Sequence, residues 1–391
     1  MGEFRLDFQD TETAFKDKSN SELREKYRLF RLLNSPILNE IGTRSASFAL
    51  SVGLPVEWLI KRTVFEQFCG GETIEECQAT IDRLGNSGIG AILDYSVEGK
   101  TSEHDFEHGK EEVIRNLDRA KNDDDIPFAV FKITGIAPLG TLEKISSGAE
   151  LKPSNVTKWE SAQRRVREIC EYARKIHQPV FIDAEESWIQ NAIDQLAMGM
   201  MEECNREEPI VYTTIQLYRH DRLEYLKKTH LEAKEKGFIL AVKLVRGAYM
   251  EKERERAKEM GYTDPIQPDK AATDDAFNAA VAYCLDNIDD ISFVNGTHNE
   301  ESTQEMAQLM EEKELPHDHP HCFFSQLYGM SDNLSYILAD NGYNVSKYVP
   351  YGPVKDAVPY LIRRAQENTS VTGQMSRELD LISREMKRRG I

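Results

Sequence analysis

The sequence predicts an α/β chain that closes into a (βα)8 barrel of the TIM type behind an N-terminal helical arm. Two observations carry that prediction. Short β-branched or aromatic runs recur after about residue 90, and every interval between them is long enough for one helix and its loops. The runs number about eight, the count at which parallel strands close into such a barrel. A third observation weighs against the runner-up, a doubly wound open sheet, which marks its ligand site with a glycine-rich first turn. No G-x-G-x-x-G lies between a strand and a helix here, and Gly88-Ile89-Gly90 precedes its strand instead of following it.

The arm, residues 1–90, reads as helical. Ser19 with Glu22 and Thr73 with Glu76 have capping-box spacing, and Ile74, Cys77, Ile81 and Leu84 repeat at helical period until Gly85. Strands are then expected near Ala91–Tyr95, Phe128–Thr134, Val180–Asp183, Tyr212–Leu217, Ile239–Val245, Ile291–Asn295, Cys322–Leu327 and Asn344–Val349. With no internal repeat and no low-complexity linker, residues 91–391 read as one catalytic barrel with C-terminal helices. Gly99-Lys100-Thr101 resembles the tail of a phosphate loop, but Asp94 stands where the first glycine is needed.

Composition narrows the class. The 391 residues carry 67 acidic against 49 basic side chains, a formal charge of −18, so phosphate backbones are repelled and nucleic-acid binding is disfavoured. Apolar residues at 40% and charged residues at 30%, without a long apolar run, describe a soluble globular chain and no membrane span. The start, Met1 to Phe8, lacks the apolar core of a secretory signal and the bias of a transit peptide, which predicts a cytoplasmic protein. Six scattered cysteines without C-x-x-C are expected to be reduced.

Barrels of this kind build their sites at the carboxyl ends of the strands, so polar residues there carry weight. Asp94 and Glu98 follow the first run, Lys132 ends the second, and Asp183 with Glu185 and Glu186 ends the third. Gln216 sits in the fourth, Lys243 and Arg246 in the fifth, and Thr297-His298-Asn299 after the sixth; Gln326 ends the seventh and Tyr348 the eighth. Singly, each reads as a satisfied structural group; recurrence at one end of successive strands favours a site. The fifth strand is densest. Lys243 and Val245 share one face, Leu244 and Arg246 the other, and the run breaks at Gly247, where backbone can approach a ligand closely. Two cations in a core-like strand are costly unless paired or ligand-bound.

After the eighth strand, helical spacing sets Arg363 one turn from Glu367 and Tyr360 one turn from Arg364. Two guanidinium forks held by a carboxylate suit a carboxylate ligand; a solvated, ion-paired surface helix is the other reading. His317, His319 and His321 crowd together, but before the seventh strand, at the rim associated with stability, so no metal is expected. H-E-x-x-H is absent.

Lys243-Leu-Val-Arg-Gly-Ala-Tyr249, Ile182-Asp-Ala-Glu-Glu186, Thr297-His-Asn299 and Tyr360-Leu-Ile-Arg-Arg364 with Glu367-Asn368 resemble the motifs of the monofunctional, FAD-dependent proline dehydrogenase family, in order from about Gly88 to Asn368. The resemblance implies a distorted (βα)8 barrel that oxidises L-proline to Δ1-pyrroline-5-carboxylate, the first step of proline catabolism, and passes electrons to a membrane quinone. It implies that Arg363 and Arg364 hold the proline carboxylate beside Lys132, while Tyr348, Leu327, Tyr360 and Tyr249 shape the pocket around the ring. Glu98 matches a loop glutamate that pairs with an arginine to close the site. Asp183 falls near flavin and substrate. Ala184, Gln216, Lys243, Val245, Gly247, Ala248, Lys270, Thr297, His298, Asn299, Gln326, Leu327 and Glu367 fall along the flavin. Many bacterial members have Arg where this chain has Lys243, and the eukaryotic branch is more similar there. The aldehyde dehydrogenase domain of bifunctional relatives is missing from this sequence, so the product would pass to a separate pyrroline-5-carboxylate dehydrogenase. Peripheral contact with the inner face of a membrane follows from the quinone.

The residue types agree with that chemistry: paired arginines clamp a carboxylate, and a strand cation stabilises charge on a reduced flavin. Two other functions remain compatible with the residues alone. Lys132 or Lys243 in an apolar barrel interior also suits a Schiff-base aldolase. A degenerate barrel that only binds its ligand is the second.

Overall fold

The computed structural model describes residues 4–34, 57–96, 101–121, 123–358, 360–361 and 374–391. Eight parallel strands follow one another in chain order around a closed barrel. They are β1 Ile89–Tyr95, β2 Phe128–Lys132, β3 Val180–Asp183, β4 Val211–Gln216, β5 Leu240–Val245, β6 Ile291–Gly296, β7 Cys322–Leu327 and β8 Val345–Tyr351. β3 and β7 coincide with the sequence expectation, and the others differ by one or two residues at one end or, for β4 and β8, at both. Phe128–Thr134 is the instructive case. The strand stops at Lys132 because Ile133–Gly135 tightens into a 3-10 turn, a local hydrogen-bonding choice that β propensity does not register.

By backbone contacts the chain groups into two compact units, one of residues 1–5 and 99–325 and one of residues 6–98 and 326–391. In the first, parallel register puts matched residues of neighbouring strands on the same side of the sheet: Lys132 beside Asp183, Thr214 beside Lys243, Gln216 beside Val245 and Lys243 beside Val294. Below them lies an aromatic layer. Phe128 stacks on Phe181 at 4.5 Å between ring centroids and meets Tyr212 and Phe323 edge-on at 5.4 and 4.9 Å, and the Tyr212 hydroxyl lies 2.8 Å from Ser292 Oγ. Large rings fill this end of the barrel and leave the polar layer at the other.

The second unit explains the N-terminal helices. Ser19 caps Asn20–Leu33 with the full box, its side chain accepting from Glu22 N–H while Glu22 reaches back to Ser19 N–H. Thr73 and Glu76 are related differently. Thr73 accepts from Glu76 N–H, but the Glu76 carboxylate takes Glu72 N–H, and the helix proper is Gln78–Gly85. Phe15, Phe30 and Leu33 pack in one core with Val354, Ala357, Leu361, Leu381 and Ile382. The N-terminal residues thus share a core with the chain's end, a pairing invisible in local sequence texture.

All six cysteines are buried. His317 pairs with Glu311, and His321 Nδ1 lies 3.0 Å from the Ile288 carbonyl. Among the described residues, no three His, Cys, Asp or Glu side chains are grouped to hold a metal ion.

Candidate active site

Lys243, on β5, is 6% exposed and its ammonium lies 5.0 Å from the centre of the Phe181 ring. A lone cation there would carry several kcal/mol of desolvation cost. Asp183, at the carboxyl end of β3, offsets it by a direct hydrogen bond to Lys243, and Lys132 at the end of β2 reaches the other carboxylate oxygen at 3.8 Å. Thr214 Oγ1 adds a 3.4 Å hydrogen bond to Asp183. One carboxylate thus gathers two ammonium groups at the carboxyl ends of the strands. That arrangement suits an anionic substrate or a group that gains electrons.

Around this centre, Gln216 is 3% exposed and donates from Nε2 to the Glu185 carbonyl at 2.7 Å. Ala184 and Val245 are half-buried. β5 ends in the predicted break. Gly247 has φ +138°, and a Cβ there would meet the Tyr218 ring at 2.5 Å, so only glycine fits without displacing that ring. Gly247 and Ala248 are exposed and Tyr249 is half-buried.

Arg246, the second cation of the fifth run, faces the other way. It bonds Asp274 at 2.7 Å, Thr297 Oγ1 at 2.7 Å and Ser302 Oγ at 2.8 Å, and lies 4.4 Å from the Phe277 ring centre. Burial lowers its pKa, partly opposed by Asp274. Asp274 also pairs with Lys270, so Lys270 and Thr297 converge on one ion group. Burial would raise the Asp274 pKa, but Lys270 and Arg246 outweigh it and hold it low. Asn299 accepts from Ser302 N–H and so caps Glu300–Glu312; His298 is half-buried beside it.

In the other unit, Tyr348 on β8 is 8% exposed and pairs in register with Ile92. Leu327 is half-buried and Tyr360 buried. Gln326 bonds Ser335 Oγ at 2.8 Å. Next to it lies a buried ion group. Asp332 joins Lys26 and Lys347, Lys347 also donates to the Met330 carbonyl at 2.7 Å, and Glu378 accepts from Ser331 N–H. Burial would raise the Asp332 pKa, but Lys26, Lys347 and Lys18 hold it well below the usual range. Glu98, Arg363, Arg364 and Glu367 lie outside the described residues.

Two features were missed by sequence reasoning. Glu185 was noted only as part of an acidic run, yet it is 4% exposed and ties β2, β3 and β4 together. Lys347, inside the apolar run of β8, was a signal in plain view, since a lysine there demands a buried anion.

A parallel eight-stranded barrel with a paired lysine–carboxylate group at the carboxyl ends of its strands has the organisation of a TIM-barrel enzyme. Residues 77–377 match the proline dehydrogenase family, and the chain belongs to that enzyme family, which is flavin-dependent. It is 31% identical to proline dehydrogenase 1, mitochondrial, of Dictyostelium discoideum, over 97% of this chain and 74% of that one. It is 33% identical to the hydroxyproline dehydrogenase of Xenopus laevis, over 96% and 89%. It is 35% identical to carbapenem antibiotics biosynthesis protein CarD of Pectobacterium carotovorum, over 82% and 83%. The fold matches proline utilization A of Bdellovibrio bacteriovorus inactivated by N-propargylglycine, with a TM-score of 0.73 at 19% identity. That match covers 94% of this chain and 39% of the larger one. The chain is therefore a dehydrogenase acting on proline or hydroxyproline.

Proposed function

We propose that the protein oxidises L-proline to Δ1-pyrroline-5-carboxylate with FAD as resident cofactor and a quinone as electron acceptor. The observation that carries this reading is the Asp183 group, where two lysines share one carboxylate inside a barrel of the proline dehydrogenase family. The donor set fits a flavin: a buried strand cation, a buried amide at Gln216 and an exposed glycine turn at Gly247 offer positive charge, a hydrogen-bonding group and close backbone approach. Bound there, FAD supplies the acceptor for the hydride that leaves the carbon next to the ring nitrogen.

The chain's own residues do the rest. In this reading Arg363 and Arg364, with Lys132, hold the proline carboxylate. Tyr348, Tyr249, Leu327 and Tyr360 pack around the ring, Glu98 takes the role of the family's glutamate that pairs with an arginine to close the site, and Asp183 holds Lys243 in place. Ala184, Val245, Ala248, Lys270, Thr297, His298, Asn299, Gln326, Leu327 and Glu367 complete the flavin surroundings. The product leaves for a separate pyrroline-5-carboxylate dehydrogenase, and the protein works in the cytoplasm at the inner face of a membrane. Hydroxyproline is the second substrate reading, favoured by the 33% identity to the Xenopus enzyme. The test is cofactor and product identity. Heat-released cofactor runs as FAD on chromatography, and turnover of L-proline yields a pyrroline trapped by o-aminobenzaldehyde. FMN alone, absence of flavin after reconstitution, or a borohydride-trapped lysine adduct in place of the pyrroline contradicts the reading.

A further inference from the structure

Glu185 is a buried carboxyl that the chemistry above leaves unused. Its Oε1 accepts from Thr134 N–H at 3.0 Å and its Oε2 meets the Thr134 hydroxyl. Its own N–H donates to Gln190 Oε1 at 2.9 Å, and its carbonyl accepts from Gln216 at 2.7 Å. Thr134 lies two residues beyond Lys132, and Glu185 lies two beyond Asp183. One residue therefore braces the three strand ends that carry Lys132, Asp183 and Gln216.

We propose that Glu185 is a positioning residue whose protonation state sets how strongly Lys132 holds the substrate carboxylate, an inference that rests on the proposed proline chemistry. Among the described residues, the charged groups around it are Lys132 on β2, Asp183 and Glu186 on its own segment, and Asp194 through Gln190. Each of the other carboxylates has its own cation: Lys243 and Lys132 for Asp183, Lys252 for Glu186, Arg222 for Asp194. Glu185 has hydroxyl and amide partners instead. Burial pushes its pKa up to about 7, opposed by the hydrogen bonds from Thr134 and by Lys132. Protonated, it leaves Asp183 as the carboxylate that shares Lys132 with the substrate. Ionised, it adds a negative charge beside that ammonium and weakens its hold on a second carboxylate.

The probe is cyclopentanecarboxylate, which has the ring and carboxylate of proline but no amine to titrate, measured as a competitive inhibitor of the FAD holoenzyme. Glu185→Gln keeps one acceptor for Thr134 N–H and one donor for its hydroxyl, so the site stays filled. In the parent, affinity is expected to fall about tenfold between roughly pH 6 and pH 8.5, while in Glu185→Gln it changes by less than about twofold. Thermal midpoints give a reading independent of turnover: the parent loses stability as pH rises through about 7, and the variant loses less. The same fall in affinity in both proteins, or parallel thermal profiles, overturns the inference and leaves the proline reading intact. A parent whose flavin L-proline does not reduce at any of these pH values overturns both.

Discussion

Asp183 holds Lys243 and Lys132 at once, so removing it leaves a buried ammonium facing Phe181 and Val294 with no counter-charge from that strand. Breaking a buried pair from one side costs about 3–5 kcal/mol, so Asp183→Ala is expected to lower the denaturant midpoint by that equivalent. An unchanged midpoint would show that Lys243 does not depend on Asp183 for its place in the fold. Tyr348 tests substrate choice at the same scale. Tyr348 is buried on β8; packed beside the ring as proposed, its phenol would leave little room for a 4-hydroxyl, and stranding that hydroxyl costs on the order of 1–3 kcal/mol. L-Proline is therefore expected to exceed trans-4-hydroxy-L-proline by at least about tenfold in kcat/KM, with Tyr348→Ser narrowing the gap. Equal use of both substrates by the parent would remove Tyr348 from that role. The polar strand ends were legible one residue at a time because each stands next to a recognisable break in the hydrophobic pattern. Their partners were not. Nothing near Lys243 in the chain names Asp183, sixty residues away, as its counter-ion.

The helix Asp332–Asp340 opens on a buried ion group in which Asp332 meets both Lys26 and Lys347. Asp332 has a folded pKa well below its usual value, so it contributes stability above the ordinary carboxylate range that is lost as pH falls toward the lowered value. Denaturant melts of the parent should show that loss on acidification, and Asp332→Asn should show a shallower slope and lower stability at neutral pH. A variant as stable as the parent at pH 7 would mean that the two lysines find other partners. Strands were readable to within one or two residues because β-branched and aromatic runs are short and bounded by helices. The grouping of helices was not: Lys26 in Asn20–Leu33 meets Asp332 more than three hundred residues later, and no capping or periodicity signal spans that distance. The sequence division at residue 90 marks a change of texture from helix to strand, whereas the packing joins residues 6–98 to 326–391.

For the whole molecule, the barrel could be anticipated because strand count, interval length and the missing glycine-rich turn are global features of the chain. In a protein of net charge −18, two lysines are gathered on the single carboxylate of Asp183. Among the described residues no helix is long and apolar enough to cross a membrane. On the proposed chemistry this barrel passes a hydride from L-proline to a flavin. Anaerobic titration of the purified holoenzyme with L-proline, followed by flavin absorbance, puts that transfer to the test. The oxidised bands should bleach in proportion to proline added and return when a quinone is admitted; a flavin spectrum indifferent to both L-proline and hydroxyproline would contradict it.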